Sequence, residues 1–587
     1  MERRSPGGAR FFRLLWLWAS LIVIFYTGSC GFPRLLDQID GQYAGAAREM
    51  LARHDWLVPT QNGIPRLRKP PLAYWMEMLS LQTFGQNEFA ARLPVCLATF
   101  AWLIATALLA YECTGDRVTS LASAIILATF FGTFQFAHLI MPEPAFGFLI
   151  ICSFWLLVRL IRKTPGEDHQ PELLLLWASM ALGVLCKGAH GLLIPLGVLA
   201  VASIFQPQLR PVCRRVAFSR TGWLLFAALV LPWYLAVEHR YPGFIFDQFG
   251  NEQANMLVGH RWPVDGDHLT RLNFWLEQLG VLFPWTLLIP GAAVTSFRVL
   301  SVSKRISSGP LLLLLWFFIY AAAITFANLQ DYYLLVCFPI IAIWLAWSLK
   351  QGLPVFFSSW VPGLLLVLLG ATGIILSNQR LTPLLSSNET GRGEQPAINS
   401  VTSALVNVAG ATGRTLSLIL LLFGICAIAA GILTILFRRR PQASLVFLPP
   451  FVLLICFLGL KGEVALQDYL SSASIASVID HYADDHTLIV SKGDISDRTS
   501  LYFYLHRQFY WLDGDPEQEY ATRRYARGEN LYLKPADLVT AWNSPRKVCV
   551  IVDHPSLTSL AQMLGIDPSA VRVLTTTPTD VVIVNRE

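Results

Sequence analysis

The chain has 587 residues, of which 54% are hydrophobic and only 14% are charged, 45 basic against 39 acidic. A soluble domain carries about a quarter charged residues, so this composition excludes a soluble multidomain enzyme, as well as collagen, disorder and a disulfide scaffold. The mean hydropathy of +0.49 points to lipid as the main solvent, and the net charge of +6 matters less than its placement.

A bilayer core of about 30 Å needs roughly 20 apolar helical residues, and about thirteen such stretches follow one another. They lie near 12–30, 91–112, 118–139, 143–162, 172–188, 190–206, 221–238, 276–297, 309–328, 332–349, 354–376, 413–437 and 443–460. The first follows Arg3, Arg4, Arg10 and Arg13 and ends in Thr27, Gly28, Ser29 and Cys30. A secretory signal is the competing reading, but no alanine-type cleavage site is evident.

Residues 31–90 form the first outer loop. Ile39 to Leu51 begins with an acid and a glycine and continues as an amphipathic helix, with Tyr43, Ala46, Ala47, Met50 and Leu51 available for one face. Prolines at 59, 65, 70 and 71 then interrupt any long helix. This segment is expected to lie along the membrane surface, with Trp56, Tyr74 and Trp75 at headgroup depth.

Basic residues near span ends stay cytoplasmic. With the N-terminus inside, the inner connections carry Arg117; Arg162 and Lys163; Arg210, Arg214, Arg215 and Arg220; Arg298, Lys304 and Arg305; Lys350; and Arg438, Arg439 and Arg440. The first outer loop breaks this pattern with Arg34, Arg48, Arg53, Arg66, Arg68 and Lys69, which points to an anionic partner, although long loops escape the rule. A flexible outer loop spans 239–275 and another outer loop spans 378–412. The transmembrane unit covers 1–460. Residues 461–587, with 29 of 127 charged, return to soluble composition as a small α/β domain on the outer face. The fold class is therefore mainly α and polytopic, with amphipathic outer-loop helices and a C-terminal α/β domain. The cysteines lie mainly within apolar runs and show no zinc-binding or disulfide spacing.

Several strings in order carry a resemblance: Asp40 to Tyr43, REML at 48–51, DWLVP at 55–59, KPPLAYW at 69–75, ARLP at 91–94, LGVLCKGAHGLLIPL at 182–196, PWYL at 232–235, FPW at 283–285 and YYLLVCFP at 332–339. The chain resembles bacterial aminoarabinose transferases and protein O-mannosyltransferase-like enzymes, which are GT-C membrane glycosyltransferases using polyprenyl-phosphate sugars. The resemblance covers about residues 30–350. It implies an inverting transferase in the bacterial inner membrane, with a cytoplasmic N-terminus and a periplasmic C-terminal domain. Its donor would be a polyprenyl-phosphate sugar and its acceptor a lipid, glycan or protein, lipid A among them. No cofactor is required, a divalent metal lacks support, and no nucleic acid partner is expected.

Breaking an anomeric bond to phosphate leaves growing negative charge, which fixed cations stabilise, and an acceptor hydroxyl needs a carboxylate in reach. Asp40, matched to the acid that opens the family's first outer helix, is the candidate for that carboxylate. Asp37 is the alternative if the alignment slips, and a helix N-cap role competes. Glu143, an acid at a span end, stands where the family carries a second acid, with His138 as a possible partner. Lys69, stiffened by two prolines and flanked by Arg66 and Arg68, is the candidate phosphate clamp, although surface basic residues are commonly just solvated.

Lys187 shares the family's Lys-Gly pair and faces either the cavity or the headgroups. The family places basic residues of the 239–275 loop as a movable cover over the lipid phosphate, which makes Arg261 a second clamp, with His260 in support. His260 and His268 with Asp265 and Asp267 lack metal-ligand spacing. Tyr333, or Tyr332, is a phosphate donor candidate, although the cation expected ahead of it is replaced by Gln330 and Asp331. Tyr43, Arg68 and Tyr74 complete the acceptor or supporting set. Gln42 stands where aminoarabinose transferases carry Arg, and together with Gln330 it keeps open a catalytically silent envelope scaffold. A lipid-linked-sugar transporter predicts inverted repeats, and none is evident.

Overall fold

A computed structural model describes residues 6–163, 167–255, 260–262, 269–303, 307–327, 329–378, 411–512, 516–525, 531–567 and 570–586. Among these, nine helices are long and apolar enough to cross a membrane, and two bent helix pairs bring the number to eleven. The remaining two expected spans coincide with the helices Gln170–Lys187 and His190–Phe205.

The two bends explain each other. Arg117–Ala128 turns into Phe131–Ala137 at 65°, and Arg271–Val281 turns into Trp285–Val299 at 98°. A broken helix frees backbone groups that lipid cannot satisfy, and here the breaks satisfy one another. The Phe131 amide donates to the Phe283 carbonyl at 3.1 Å. The Trp285 indole donates to the Thr129 hydroxyl at 2.9 Å. Farther along, Val361–Asn378 packs against Ala411–Leu436 at opposed Gly370 and Gly424, where a Cβ on either would strike the other backbone. Such small-residue contact replaces the hydrophobic effect as the source of helix association in lipid.

The first outer loop forms the helix Asp40–Arg53, a short hairpin pairing Thr60–Gln61 with Ile64–Pro65, and the helix Leu72–Phe84. Asn62 and Gly63 make its turn, both with positive φ. The first helix buries more than the expected stripe: Tyr43, Ala46, Ala47 and Met50 are buried, as are Gly41, Ala44 and Gly45. Leu51 is only half-buried. The second buried face exists because the outer domain packs there. A Cβ at Gly41 would collide with the Thr499 backbone, and one at Gly45 with Tyr502.

That outer domain is a five-stranded sheet in the order Tyr510–Trp511, Leu488–Ser491, Val548–Asp553, Asp580–Val584, Val573–Thr576. The first three strands are mutually parallel and the last two run antiparallel to their neighbours. The preceding membrane helix, Ser444–Ala465, runs past residue 460. Docking is polar as well as apolar. The Ser500 amide and the Ser472 hydroxyl donate to Asp37 at 2.7 and 3.0 Å. Tyr504 donates to Glu88 at 2.8 Å, and Asn62 exchanges hydrogen bonds with the Phe509 backbone. Asp37 is thereby a docking residue, and the 379–410 part of the expected outer loop lies outside the described residues.

Candidate active site

Two acids meet two cations at the helix ends beside the first long loop, in different surroundings. Asp40 opens the first outer helix and is completely buried, as is Arg92. Arg92 donates to Asp40 Oδ2 at 2.7 Å, and the Leu36 amide donates to the same oxygen at 3.1 Å. The Ile140 amide donates to Oδ1 at 2.8 Å. Both carboxylate oxygens are engaged, so Asp40 ties the first outer loop to the segment that leads into Glu143. The sequence reading gives Asp40 the acceptor-aligning role; in this structure both of its carboxylate oxygens accept hydrogen bonds from the protein.

Glu143 is the first residue of the helix Glu143–Arg162, and Lys187 is the last residue of Gln170–Lys187. They pair at 2.9 Å through Oε1. Oε2 is buried and, among the described residues, has no hydrogen-bond partner. His138 instead contacts Ser29 at 2.7 Å and the Phe134 carbonyl, so it is not the partner of Glu143. The Lys187 ammonium lies 5.4 and 5.7 Å from the ring centroids of Tyr332 and Tyr333 and 5.5 Å from Phe146. The aromatic faces favour a cation there. Tyr333 thus has a cation beside it after all, brought by a different helix.

The hairpin delivers the next group. Arg66 is buried, donates to the Tyr74 hydroxyl, and donates to Gln42 Oε1 at 2.6 Å. Its guanidinium lies 4.8 Å from the Tyr43 ring centroid, and Tyr43 stacks on Tyr74 at 5.5 Å. Tyr74 is fully buried, which corrects its expected place among the lipid headgroups; Trp56 is exposed. Lys69 is half-buried. Burial holds its ammonium below the usual lysine range, Arg68 and Lys187 push the same way, and Glu252 and Glu143 oppose them.

Asp247–Asn255 is a π-helical turn in the 239–275 loop. From it Glu252 reaches Arg261 Nε at 3.2 Å and Arg68 Nε at 3.9 Å, all through Oε2. Arg261 is buried, whereas His260 is exposed and its backbone amide donates to Asn255. The helix Pro516–Tyr525 of the outer domain lies over this place, with Tyr520 and Tyr525 donating to Asp247. His268, Asp265 and Asp267 fall outside the described residues. Among the described residues no group of three or more His, Cys, Asp or Glu is arranged to hold a metal.

Residues 35–246 match the family model for dolichyl-phosphate-mannose-protein mannosyltransferases. Over 310 residues the chain is 28% identical to the undecaprenyl phosphate-alpha-4-amino-4-deoxy-L-arabinose arabinosyl transferase of Photorhabdus laumondii, covering 51% of this chain and 53% of that one. It is 27% identical to the enzyme of the same name from Enterobacter sp., over 55% and 57% of the two chains. The fold extends the likeness. ArnT from Cupriavidus metallidurans bound to undecaprenyl phosphate superposes with a TM-score of 0.78 over 97% of both chains, at 17% identity.

In sequence and fold the chain is similar to GT-C membrane glycosyltransferases of the aminoarabinose transferase type. In sequence it spans about half the length of the curated relatives it matches.

Within this GT-C frame, sequence reasoning missed two residues. Arg92 was visible in ARLP, but nothing local assigned it to Asp40, 52 residues away. Glu252 stood in a polar string without a motif, and only the fold brings it to two arginines.

Proposed function

We infer that this protein is an inner-membrane glycosyltransferase that moves a sugar from a polyprenyl phosphate to an envelope acceptor on the extracytoplasmic side. One observation carries the reading: Arg66, Arg68, Lys69, Lys187 and Arg261, from three separate stretches of chain, gather at the outer helix ends around Glu143 and a set of tyrosines. These five cations outnumber the two carboxylates among them, Glu143 and Glu252, and a phosphate in a site of low dielectric offsets the remaining like-charge repulsion. The relatives named for undecaprenyl-phosphate aminoarabinose support a polyprenyl-phosphate donor. The acceptor belongs to the wider class of envelope lipids, glycans and proteins, lipid A among them.

The proposed reaction inverts the anomeric centre. The acceptor oxygen forms a bond to the anomeric carbon as the bond from that carbon to the phosphate oxygen breaks, and its electron pair leaves on the phosphate. Lys69, Arg68 and Arg261 stabilise that charge, and Lys187 holds Glu143 in place. The acceptor proton passes to Glu143 Oε2, the oxygen with no hydrogen-bond partner among the described residues. Asp40 fixes the backbone at Ile140, and Tyr43, Tyr74 and Tyr333 shape the walls. The N-terminus is cytoplasmic and the sheet domain periplasmic. The two domains divide the labour, the membrane unit holding the chemistry and the outer domain bracing the first loop.

The test compares envelope glycolipids and glycoproteins by mass spectrometry in a deletion strain complemented with wild type or with Glu143→Gln. A sugar mass increment that wild type restores and Glu143→Gln does not is the expected result. Full restoration by the folded variant would remove Glu143 from the chemistry.

A further inference from the structure

The cation cluster already contains an anion. Glu252 is buried, and its Oε2 atom faces both Arg261 and Arg68, two of the side chains that the proposed function gives to the donor phosphate. It is also the strongest charge acting on Lys69, the third of them. A carboxylate and a phosphate offer guanidinium groups the same kind of acceptor oxygen. Resting on that functional reading, we propose that Glu252 is a built-in surrogate for the polyprenyl phosphate, holding the anion position until the lipid phosphate displaces it.

Its placement is secured on both sides. Five residues before it, Asp247 accepts hydrogen bonds from Tyr520 and Tyr525 of the outer domain, the latter at 2.6 Å. One residue after it, Gln253 accepts from the Ala189 amide at 2.8 Å, two residues beyond Lys187. The segment between is a π-helical turn, whose wider winding is frequent at functional sites. Glu252 is therefore held between the outer domain and the Lys187 end of the site, with its carboxylate turned toward the arginines.

The exchange has a chemical consequence. The donor is a phosphodiester with a single negative charge, and the released polyprenyl phosphate is a monoester carrying about −1.5 to −2 near neutral pH. A cluster of three cations without a counter-ion would hold the product more tightly than the donor. Glu252 competes with both phosphates, and by reclaiming Arg261 and Arg68 it promotes release of the more strongly held product. It thus acts on turnover through the clamp and not on the reacting atoms, which makes it a positioning residue.

The experiment uses the full chain in lipid nanodiscs with undecaprenyl phosphate as the probe, alongside steady-state transfer assays. Glu252→Gln is expected to bind undecaprenyl phosphate about tenfold or more tightly, with KM for the donor and kcat both reduced and product release slowed. Glu252→Asp keeps the charge but draws it back by one methylene, so it should tighten binding by less, and it decides the matter if the glutamine variant does not fold. Binding by a folded variant that equals or falls below that of wild type would overturn the surrogate role alone. Absence of saturable binding in wild type and variants alike would overturn the polyprenyl-phosphate reading with it.

Discussion

Asp40 with Arg92 and Glu143 with Lys187 are both acid–base pairs with a buried carboxylate, and Glu143 lies three positions after Ile140, whose amide binds Asp40. In the first pair each carboxylate oxygen receives hydrogen bonds, from Arg92, Leu36 and Ile140. In the second, one oxygen meets Lys187 and the other meets no hydrogen-bond partner among the described residues. A buried carboxylate whose two oxygens both accept hydrogen bonds is a staple, because each oxygen already has a proton donor. One with an open oxygen among cations has a desolvation cost that only a ligand or a reacting proton relieves.

The contrast breaks first if the two acids are neutralised. Glu143→Gln should lower kcat by about 10²- to 10⁴-fold, the range of a lost general base, with a smaller loss of melting temperature than Asp40→Asn because Lys187 is only half-buried. Asp40→Asn should behave in the opposite way. Removing one partner of a buried pair costs about 3–5 kcal/mol, so thermal unfolding should show the loss directly, and activity should scale with the folded fraction. Equal loss of turnover in a fully folded Asp40→Asn would return the reacting carboxylate to Asp40.

Smaller effects sharpen the comparison. Lys69→Gln should weaken undecaprenyl phosphate binding about tenfold, as expected for one charge-assisted contact. Because burial lowers its pKa, wild-type affinity should also fall on the alkaline side before an ordinary lysine near 10.4 would titrate. A titration of binding against pH, repeated with Lys69→Arg, checks the sign, since arginine keeps its charge throughout. Gly45→Ala places a methyl against Tyr502 and should cost about 1–3 kcal/mol as overpacking, loosening the outer domain in limited proteolysis.

A pH-dependent effect concerns Asp37, whose carboxyl burial raises to about 7 while the Ser500 and Ser472 hydrogen bonds oppose that shift. An unfolded aspartate titrates near 3.9. The folded state therefore holds a proton that the unfolded state has released, and this stabilisation is complete below about pH 4 and lost as pH rises through about 7. Melting temperature should decline between pH 5 and pH 8, and Asp37→Asn should flatten that slope.

How much could be read from the chain is clearest in its helices. The apolar stretches 91–112 and 143–162 predict membrane helices, and Glu88–Thr114 and Glu143–Arg162 are there. Lipid penalises any unpaired backbone, so length and hydropathy suffice. The bends near Thr129 and Phe283 were hidden, since each depends on hydrogen bonds from the other. Lys69, Lys187 and Arg261 could be picked out as cations held where topology disfavours them. Their relation to Glu252, and the burial of Tyr74 beneath Arg66, could not.

By itself, then, the sequence determined the membrane class, the helical stretches and the kinds of charge retained at the rim, because solvent transfer acts residue by residue along a chain. Only the tertiary structure decided which acid is saturated and which keeps an open oxygen. A carboxylate's role depends on donors brought from 52 and 100 residues away, as at Asp40 with Arg92 and Ile140, and no local pattern encodes that convergence.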